Sequence, residues 1–571
     1  MPPNPTKLWV IKPVITSEAD QALRRFSPIM RQLLYNRGYA TDEAARLYME
    51  AQPPPGSDPM NMMGIPEAVE RIWHGIQSDE RIAVYGDYDA DGVTATALLT
   101  DLLKKLGAQV QGYIPNRFDE GYGLNTEALD TLKAGGTSLV VTVDCGIRSL
   151  DEAEHARRIG LDLIITDHHH PLQEMPNALA LVNPKQPGEV YPDENLAGVG
   201  LAYKLACALL GKARSTGYAP AEQINAEEYL DLVALGTVSD QAPLVGENRS
   251  LVRQGLEYIR RPRRQGILSL IGAAQLNPLQ ITADSIGFGL GPRLNAAGRL
   301  DSALAALNLL LTQDLTEAAY LAQQLDNQNR ERQQITREIQ AHAEQLALAE
   351  EPDGFLLFSA HESYNPGVIG LAASRLMEQY YRPSIVAYHG PEFTRGSCRS
   401  IPEFHITKAL DECADLLVRH GGHSAAAGFT VRNEHLPELV ERLRLIAQHQ
   451  LGSLDLRPTL RADAQVNLSE LTPELQNELE RLQPTGQENP AARFISRGAR
   501  VLRSRTVGKD SSHLKLAVSD GIITYDAIAF RQGHLYGKLT PYIDLIYNFE
   551  RNEYNGFASL QLNVQDIHLR T

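Results

Sequence analysis

Along residues 81–166 the apolar positions come in short, dense runs. RIAVYG (81–86), SLVVTV (138–143) and LDLIIT (161–166) are rich in valine and isoleucine. Between them, TALLTDLLKKLG (96–107) and LDEAEHARRIG (150–160) space their apolar residues at helical intervals. Runs without polar alternation are buried on both faces, and their alternation with helices predicts a parallel sheet covered by helices. Residues 1 to about 75 read as a helical preface, with PPPGSDPMNMMGIPEA (53–68) as a proline- and glycine-rich loop. From Arg299 to Glu351 there is no proline or glycine, and Leu315, Ala318, Ala322, Leu325, Ile335 and Ile339 follow a helical period on a polar background. Long helices are expected there, at least one of them exposed and joining two lobes. A second α/β region follows over about 352–452. The last part, from ARVLRSRTV (499–507) to LQLNVQDI (560–567), alternates apolar and polar residues between turn signals. That pattern predicts an antiparallel sheet or small barrel.

A length of 571 residues exceeds one ordinary core and implies three or four domains. Hydrophobic content of 43% and charged content of 22% are those of a soluble globular chain. No apolar run approaches the roughly 18 residues of a membrane helix. The opening MPPNPTKLWVIKP breaks the apolar core that a signal peptide requires, so the expected location is the cytoplasm. Cys145, Cys207, Cys398 and Cys413 form no C-x-x-C pair, which argues against a disulfide framework and a zinc ribbon. The net charge of −16 argues against a general nucleic-acid coat protein. It leaves room for a nucleic-acid enzyme, because bound cations offset local negative charge and a basic groove can lie on an acidic body.

The candidate chemistry sits where the apolar runs stop. RIAVYG leads into Asp87, Asp89 and Asp91; SLVVTV ends at Asp144; LDLIIT ends at Asp167, followed by His168, His169 and His170. Asp240 follows a further apolar segment, LVALGTVS (232–239). The carboxyl ends of parallel strands line one crevice, so these residues are expected to converge. Carboxylates held that close repel unless cations neutralise them. Oxygen and imidazole ligands suit manganese and tolerate magnesium or zinc, and a carboxylate-bridged metal pair serves phosphoryl hydrolysis. A lone D-x-D-x-D-G also fits part of a calcium loop, but no glutamate stands where an EF-hand needs one. Three adjacent histidines alone fit an exposed turn equally well; repetition at successive strand ends favours a metal site.

DYDADG (87–92), VDCG (143–146), DHH (167–169) and GTVSD (236–240) together resemble the four motifs of the DHH phosphoesterase superfamily. IPNRFDEGYGLN (114–125), GFGLGPRLNAAGRL (287–300), NPGVIGLAASRL (365–376), GSCRS (396–400) and GGHSAAAGFT (421–430) narrow the resemblance to its RecJ family, bacterial single-strand-specific 5′→3′ DNA exonucleases. The resemblance covers nearly the whole chain. It implies an α/β protein with a helical extension (1–75), a DHH catalytic domain with a parallel sheet (76–310), a long connecting helix (311–350), an α/β DHH-associated domain (351–455) and a C-terminal β-barrel of OB type (456–571).

The same resemblance implies two divalent metal ions, manganese ahead of magnesium. Asp89 and Asp91 would bind them, Asp144 would bridge them, and His168 and Asp240 would complete the set. Asp87 would be a further ligand or a hydrogen-bond acceptor behind them, and His169 would contact the scissile phosphate or a metal. Arg117, Ser397 and Arg399 would form a 5′-phosphate pocket, and Arg293, Asn295, Arg299 and His423 would contact backbone or nucleotide. Arg503, Arg505, Lys509, Lys515 and Tyr554 are candidates for gripping single strand on the barrel. Two positions depart from the pattern: Tyr85, where some branches carry a histidine ligand, and Asn365, where related chains often carry histidine. The implied substrate is single-stranded DNA with a 5′ end, with single-strand-binding protein and a helicase as partners, and a monomeric chain. Two other readings stay open: a phosphodiesterase of short oligonucleotides or cyclic dinucleotides, which usually lacks the barrel, and a non-catalytic replication-complex subunit, which usually has decayed metal motifs.

Overall fold

The dense apolar runs form a five-stranded sheet, parallel throughout. The computed structural model describes residues 5–116, 123–300, 302–554 and 557–570, the side chains of 553, 554 and 557 excepted. In chain order the elements are β1 (Arg81–Gly86), α1 (Ala90–Lys105), β2 (Gln109–Tyr113), α2 (Thr126–Ala134), β3 (Thr137–Val143), α3 (Leu150–Arg158), β4 (Asp162–Thr166), β5 (Ala180–Val182), α4 (Gly198–Ser215), α5 (Leu230–Ser239), α6 (Gly246–Arg260) and α7 (Gly291–Leu300). The strand order is β2-β1-β3-β4-β5. Side chains alternate across the sheet. Ile82, Val84, Leu139, Val141 and Ile164 pack with α1, α4, α5 and the helix Ile65–Gln77. Ala83, Tyr85, Val140, Leu163 and Ile165 pack against α2 and α3.

Register fixes what the strand ends present. Gly86 pairs with Val143, and Val143 with Thr166. The next residues, Asp87, Asp144 and Asp167, therefore leave the sheet on one rung. The apolar segment before Asp240 forms the helix α5 rather than a strand. It is buried nearly all round, which is why it shows no helical period.

The chain divides into two units, Ile11–Asn327 with Ala462–Thr571, and Met1–Val10 with Gln328–Arg461. Helix α8 (Leu315–Glu350) starts in the first and ends in the second. Ala318, Ala322 and Leu325 of its first turns join the core under the parallel sheet, as their spacing predicts.

The second unit carries β6 (Leu357–His361), α9 (Ile369–Tyr380), β7 (Ser384–His389), β8 (Phe393–Arg399), β9 (Leu417–Gly422) and β10 (Ala426–Arg432). Its sheet order is β9-β10-β8-β7-β6, with only β6–β7 parallel.

Residues after 462 return to the first unit. After the helix α10 (Pro473–Glu480) come β11 (Arg493–Val507), β12 (His513–Ser519), β13 (Thr524–Ala529), β14 (Tyr542–Tyr554) and β15 (Phe557–Leu569). They pair in the ring β11-β12-β13-β15-β14 and close back onto β11, a five-stranded barrel. Its core is not made by the barrel alone. Leu23, Met30, Leu33, Leu34, Tyr48 and Met49, from the helices Pro28–Asn36 and Asp42–Glu50 and the turn before them, are buried in one cluster with Phe494, Leu514, Ile543 and Leu562. The expected N-terminal extension is thus split in space: residues 23–49 complete the barrel core, whereas Ile65–Gln77 packs under the parallel sheet.

Arg249 on α6 ties these parts together and is 1% exposed. Its guanidinium donates to the carbonyls of Leu482 (2.7 Å), Pro484 (3.0 Å), Arg481 (3.1 Å) and Tyr48 (3.3 Å), and lies 4.2 Å from the Tyr48 ring centroid. Among the described residues no helix is long and apolar enough to cross a membrane.

Candidate active site

Asp89 caps α1: its Oδ1 accepts the backbone N–H of Asp91 (2.9 Å) and Gly92 (3.1 Å). Asp91 is then turned into the protein, where Oδ2 accepts from Gly198 N (2.7 Å) and Oδ1 from Val199 N (2.8 Å). These are the first two amides of α4, so the carboxylate sits on a helix N-terminus, which favours negative charge. Gly198 has to be glycine: a Cβ there would lie 2.6 Å from Asp144 Cβ. Asp144 itself has φ of +61°, a left-handed conformation that aspartate tolerates and most residues do not.

Three trios of ligand atoms result, each within 4.8 Å: Asp87, Asp89 and Asp144; Asp91, His168 and Asp240; and Asp144, His168 and His169, which joins the other two. They meet where Asp144 Oδ1 lies 3.1 Å from His168 Nε2, which is itself 3.9 Å from Asp91 and 3.8 Å from Asp240. Asp144 Oδ1 and His168 Nε2 are both buried, and among the described residues neither has a hydrogen-bond partner. Two such apposed ligand atoms fit a divalent cation, because an unsatisfied buried acceptor is otherwise unfavourable by roughly 1–3 kcal/mol. The donor set of the first two trios, five carboxylates and an imidazole, suits manganese or magnesium.

Electrostatics agree. Burial, then the charge of Asp89, pushes Asp91 up to about 7. Burial, then Asp91 and Asp89, pushes Asp240 up to about 9. Burial and the neighbouring aspartates hold Asp144 well above the ordinary carboxylate range. Burial draws His168 down to about 3, leaving it neutral as a metal ligand must be. His169 is raised: burial opposes its charge, but its 2.7 Å contact to Asp167 outweighs that. Asp167 also accepts from His169 N and Ile147 N, so it selects the Nδ1-protonated form of His169.

A pH dependence follows. Carboxyls raised above 3.8 in the folded state contribute stability present below that value and lost as pH climbs through 7 and 9. The unfolding midpoint in EDTA should fall between about pH 5.5 and 8. Manganese takes the place of those protons, so the midpoint gained on adding it should grow over the same interval. Scanning calorimetry with and without manganese at both pH values checks this; equal gains at both would contradict it.

Tyr85 offers no ligand. It is fully buried on the α2 face, stacks on Tyr113 at 5.0 Å, and its hydroxyl donates to Gly123 O and accepts from Asn125. Arg117 lies outside the described residues. Arg293 is paired with Asp326 at 2.8 Å and donates to Gly289 O. Asn295 accepts from Ala90 N (2.8 Å), so it braces the start of α1 under the aspartate loop. Arg299 is in the last turn of α7. None of these three placements was legible in GPRLNAAGR.

Ser397, Arg399 and His423 belong to the second unit. Arg399 Nη1 donates to Ser397 Oγ (3.3 Å) and Cys398 O (2.7 Å), and among the described residues no carboxylate pairs with it. The first turn of α9 abuts the pair: a Cβ at Gly370 would lie 2.9 Å from Ser397 Oγ and 3.0 Å from Arg399 Nη2. Asn365 Oδ1 accepts from Gly367 N and shapes the turn into that helix. A half-buried guanidinium, a hydroxyl and a helix start can take up a phosphate. His423 is exposed in the turn between β9 and β10. On the barrel, Arg503, Arg505 and Lys509 are exposed and Lys515 pairs with Asp526. The side chain of Tyr554 falls outside the description.

The sequence matches three family models: the DHH family N-terminal domain over residues 81–237, the DHHA1 domain over 353–449 and the RecJ OB domain over 462–566. It is similar to the single-stranded-DNA-specific exonuclease RecJ of Bacillus subtilis, with 39% identity over 95% of this chain and 68% of that one. The protein of the same name from Salmonella typhimurium is 37% identical over 95% of this chain and 96% of its own. Among solved structures, RecJ of Thermus thermophilus in complex with Mn2+ superposes with a TM-score of 0.83 at 30% identity, covering 99% of this chain and 80% of that one.

Proposed function

We infer, from the premise that this chain belongs to the RecJ family of DHH phosphoesterases, that it is a metal-dependent exonuclease degrading single-stranded DNA from its 5′ end to 5′-mononucleotides. The observation that carries the reading is the set of ligand trios meeting at Asp144 and His168. Such a site, with intact motifs and in a chain that also carries the OB-type barrel, favours it over a cyclic-dinucleotide phosphodiesterase or a non-catalytic subunit. DNA repair and recombination in the cytoplasm, a monomeric state, and partnership with single-strand-binding protein and a helicase are parts of the same proposal.

When bound, two divalent ions supply a hydroxide at neutral pH and offset charge on the phosphate. Asp87, Asp89, Asp91, Asp144, His168 and Asp240 would hold them. The α4 amides favour the anionic form of Asp91 against burial and fix its position. His169, whose Nδ1–H Asp167 accepts and whose charged form that carboxylate favours, donates from Nε2–H to a phosphate oxygen when protonated. Ser397 and Arg399 hold the terminal 5′ phosphate, and Arg299 and His423 touch the strand. Asn295 serves the strand indirectly, through the aspartate loop it braces. Arg503, Arg505 and Lys509 grip the strand further on.

The test is degradation of one single strand labelled at either end, in manganese. Label released as mononucleotide at once from the 5′ end, with gradual shortening from the 3′-labelled strand and an intact blunt duplex, is the expected result. Binding without cutting would favour the non-catalytic reading. Arg399→Ala should cut the preference for a 5′-phosphorylated over a 5′-hydroxyl strand by roughly 10- to 100-fold, the loss of one charged, paired hydrogen bond. The KM ratio for the two ends measures it; an unchanged ratio would remove Arg399 from the pocket.

A further inference from the structure

The three histidines after β4 have their backbone held in an unusual way. Each of the three successive carbonyls accepts a side-chain donor: His168 O from Lys185 Nζ (2.5 Å), His169 O from Asn183 Nδ2 (2.9 Å) and His170 O from Arg148 Nε (2.7 Å). Asn183 is fully buried, directly after β5, and its Oδ1 accepts from Lys185 N (2.7 Å). One side chain thus shapes the turn that aims the lysine while holding the neighbouring histidine. Asp167 N donates to Val182 O, so the loop is also tied to the end of β5. A peptide whose carbonyl is anchored cannot flip, and the direction of that peptide sets where the His168 ring is carried.

Lys185 is the member of this set with charge to spare. Its ammonium is half-buried and senses Asp167, Glu194 and Asp240. A lysine filling surface space would leave its head in water. This one is drawn inward to a main-chain oxygen of a residue whose Nε2 faces Asp144.

We propose that Lys185 is a positioning residue for the metal centre: with Asn183 and Arg148 it clamps the carbonyls of residues 168–170 and so fixes the His168 imidazole in its ligating orientation. The proposal rests on the reading of His168 as a metal ligand. Groups that orient a ligand typically change metal affinity by about 10- to 100-fold when removed.

The experiment is manganese titration of the full chain by calorimetry and by the electron paramagnetic resonance signal of free ion, with unfolding midpoints measured in EDTA. Lys185→Met keeps the stem and removes the donor. It should weaken manganese binding by about 10-fold or more, with the metal-free midpoint close to that of the parent. Lys185→Arg, which keeps charge and donor, should recover most of the affinity. If Lys185→Met folds poorly, Lys185→Leu, shorter and likewise without a donor, is read in the same way. A manganese titration of Lys185→Met that overlays the parent, or a midpoint that falls in EDTA without loss of affinity, overturns the clamp. His168→Ala separates the two levels: if it too leaves manganese binding unchanged, the ligand assignment fails, whereas loss in His168→Ala alone sinks only the role of Lys185.

Discussion

Asp144→Asn should lose nuclease activity by on the order of 10³-fold or more while the protein remains folded. Asparagine is the informative replacement. It keeps the shape of the side chain, and it tolerates the positive φ of 61° that alanine would strain. It removes one negative charge from a place where burial and the surrounding aspartates already disfavour ionisation. The metal-free variant should therefore unfold at or above the parent's midpoint near about pH 8, and its gain on adding manganese should nearly vanish. Activity against a 5′-labelled strand and calorimetry in EDTA and manganese measure both halves. A variant that is inactive but still stabilised by manganese like the parent would place Asp144 outside the metal set and leave its role with the substrate.

The second large effect is on stability. Arg249→Met should lower stability by roughly 3 kcal/mol, because it removes a charged donor from a group of buried carbonyls. Leu482 O and Pro484 O keep the Asn489 side-chain amide as a donor, so the uncompensated loss falls on Arg481 O and, in part, Tyr48 O. Lysine should not rescue it: a single ammonium cannot span four carbonyls from two segments. The unfolding midpoint of the first transition is expected to drop by about 5 °C, with activity at low temperature retained. A shift under ~1 °C would show that the carbonyls find water instead.

What the sequence disclosed and what it hid divide along a physical line. Asp87, Asp144 and Asp167 were legible because a parallel sheet brings strand ends together, and the register puts all three on one rung. Asp240 was legible only as a neighbour of an apolar run. That run is a helix buried on every side, and burial on every side erases the periodicity that separates helix from strand. The arginine and asparagine of GPRLNAAGR were read toward substrate because residue type indicates what a group can bond, not which partner it meets. Arg293 meets Asp326 and Asn295 meets a backbone amide of the aspartate loop. Lys185 and Asn183 left no signal, since a donor to a main-chain carbonyl needs no complementary residue anywhere in the sequence.

The shared core of the barrel has a consequence for how the chain is made. Leu33 and Met49 leave the ribosome long before their packing partners, Phe494, Ile543 and Leu562. At roughly 5–20 residues per second that is a wait on the order of half a minute to a minute and a half. During synthesis the early helices carry an unsatisfied apolar face while the parallel sheet can already close. The barrel strands then act as a late keystone, so a nascent chain stalled before Ile543 should be held by chaperones or proteolysed at these helices rather than at its catalytic centre.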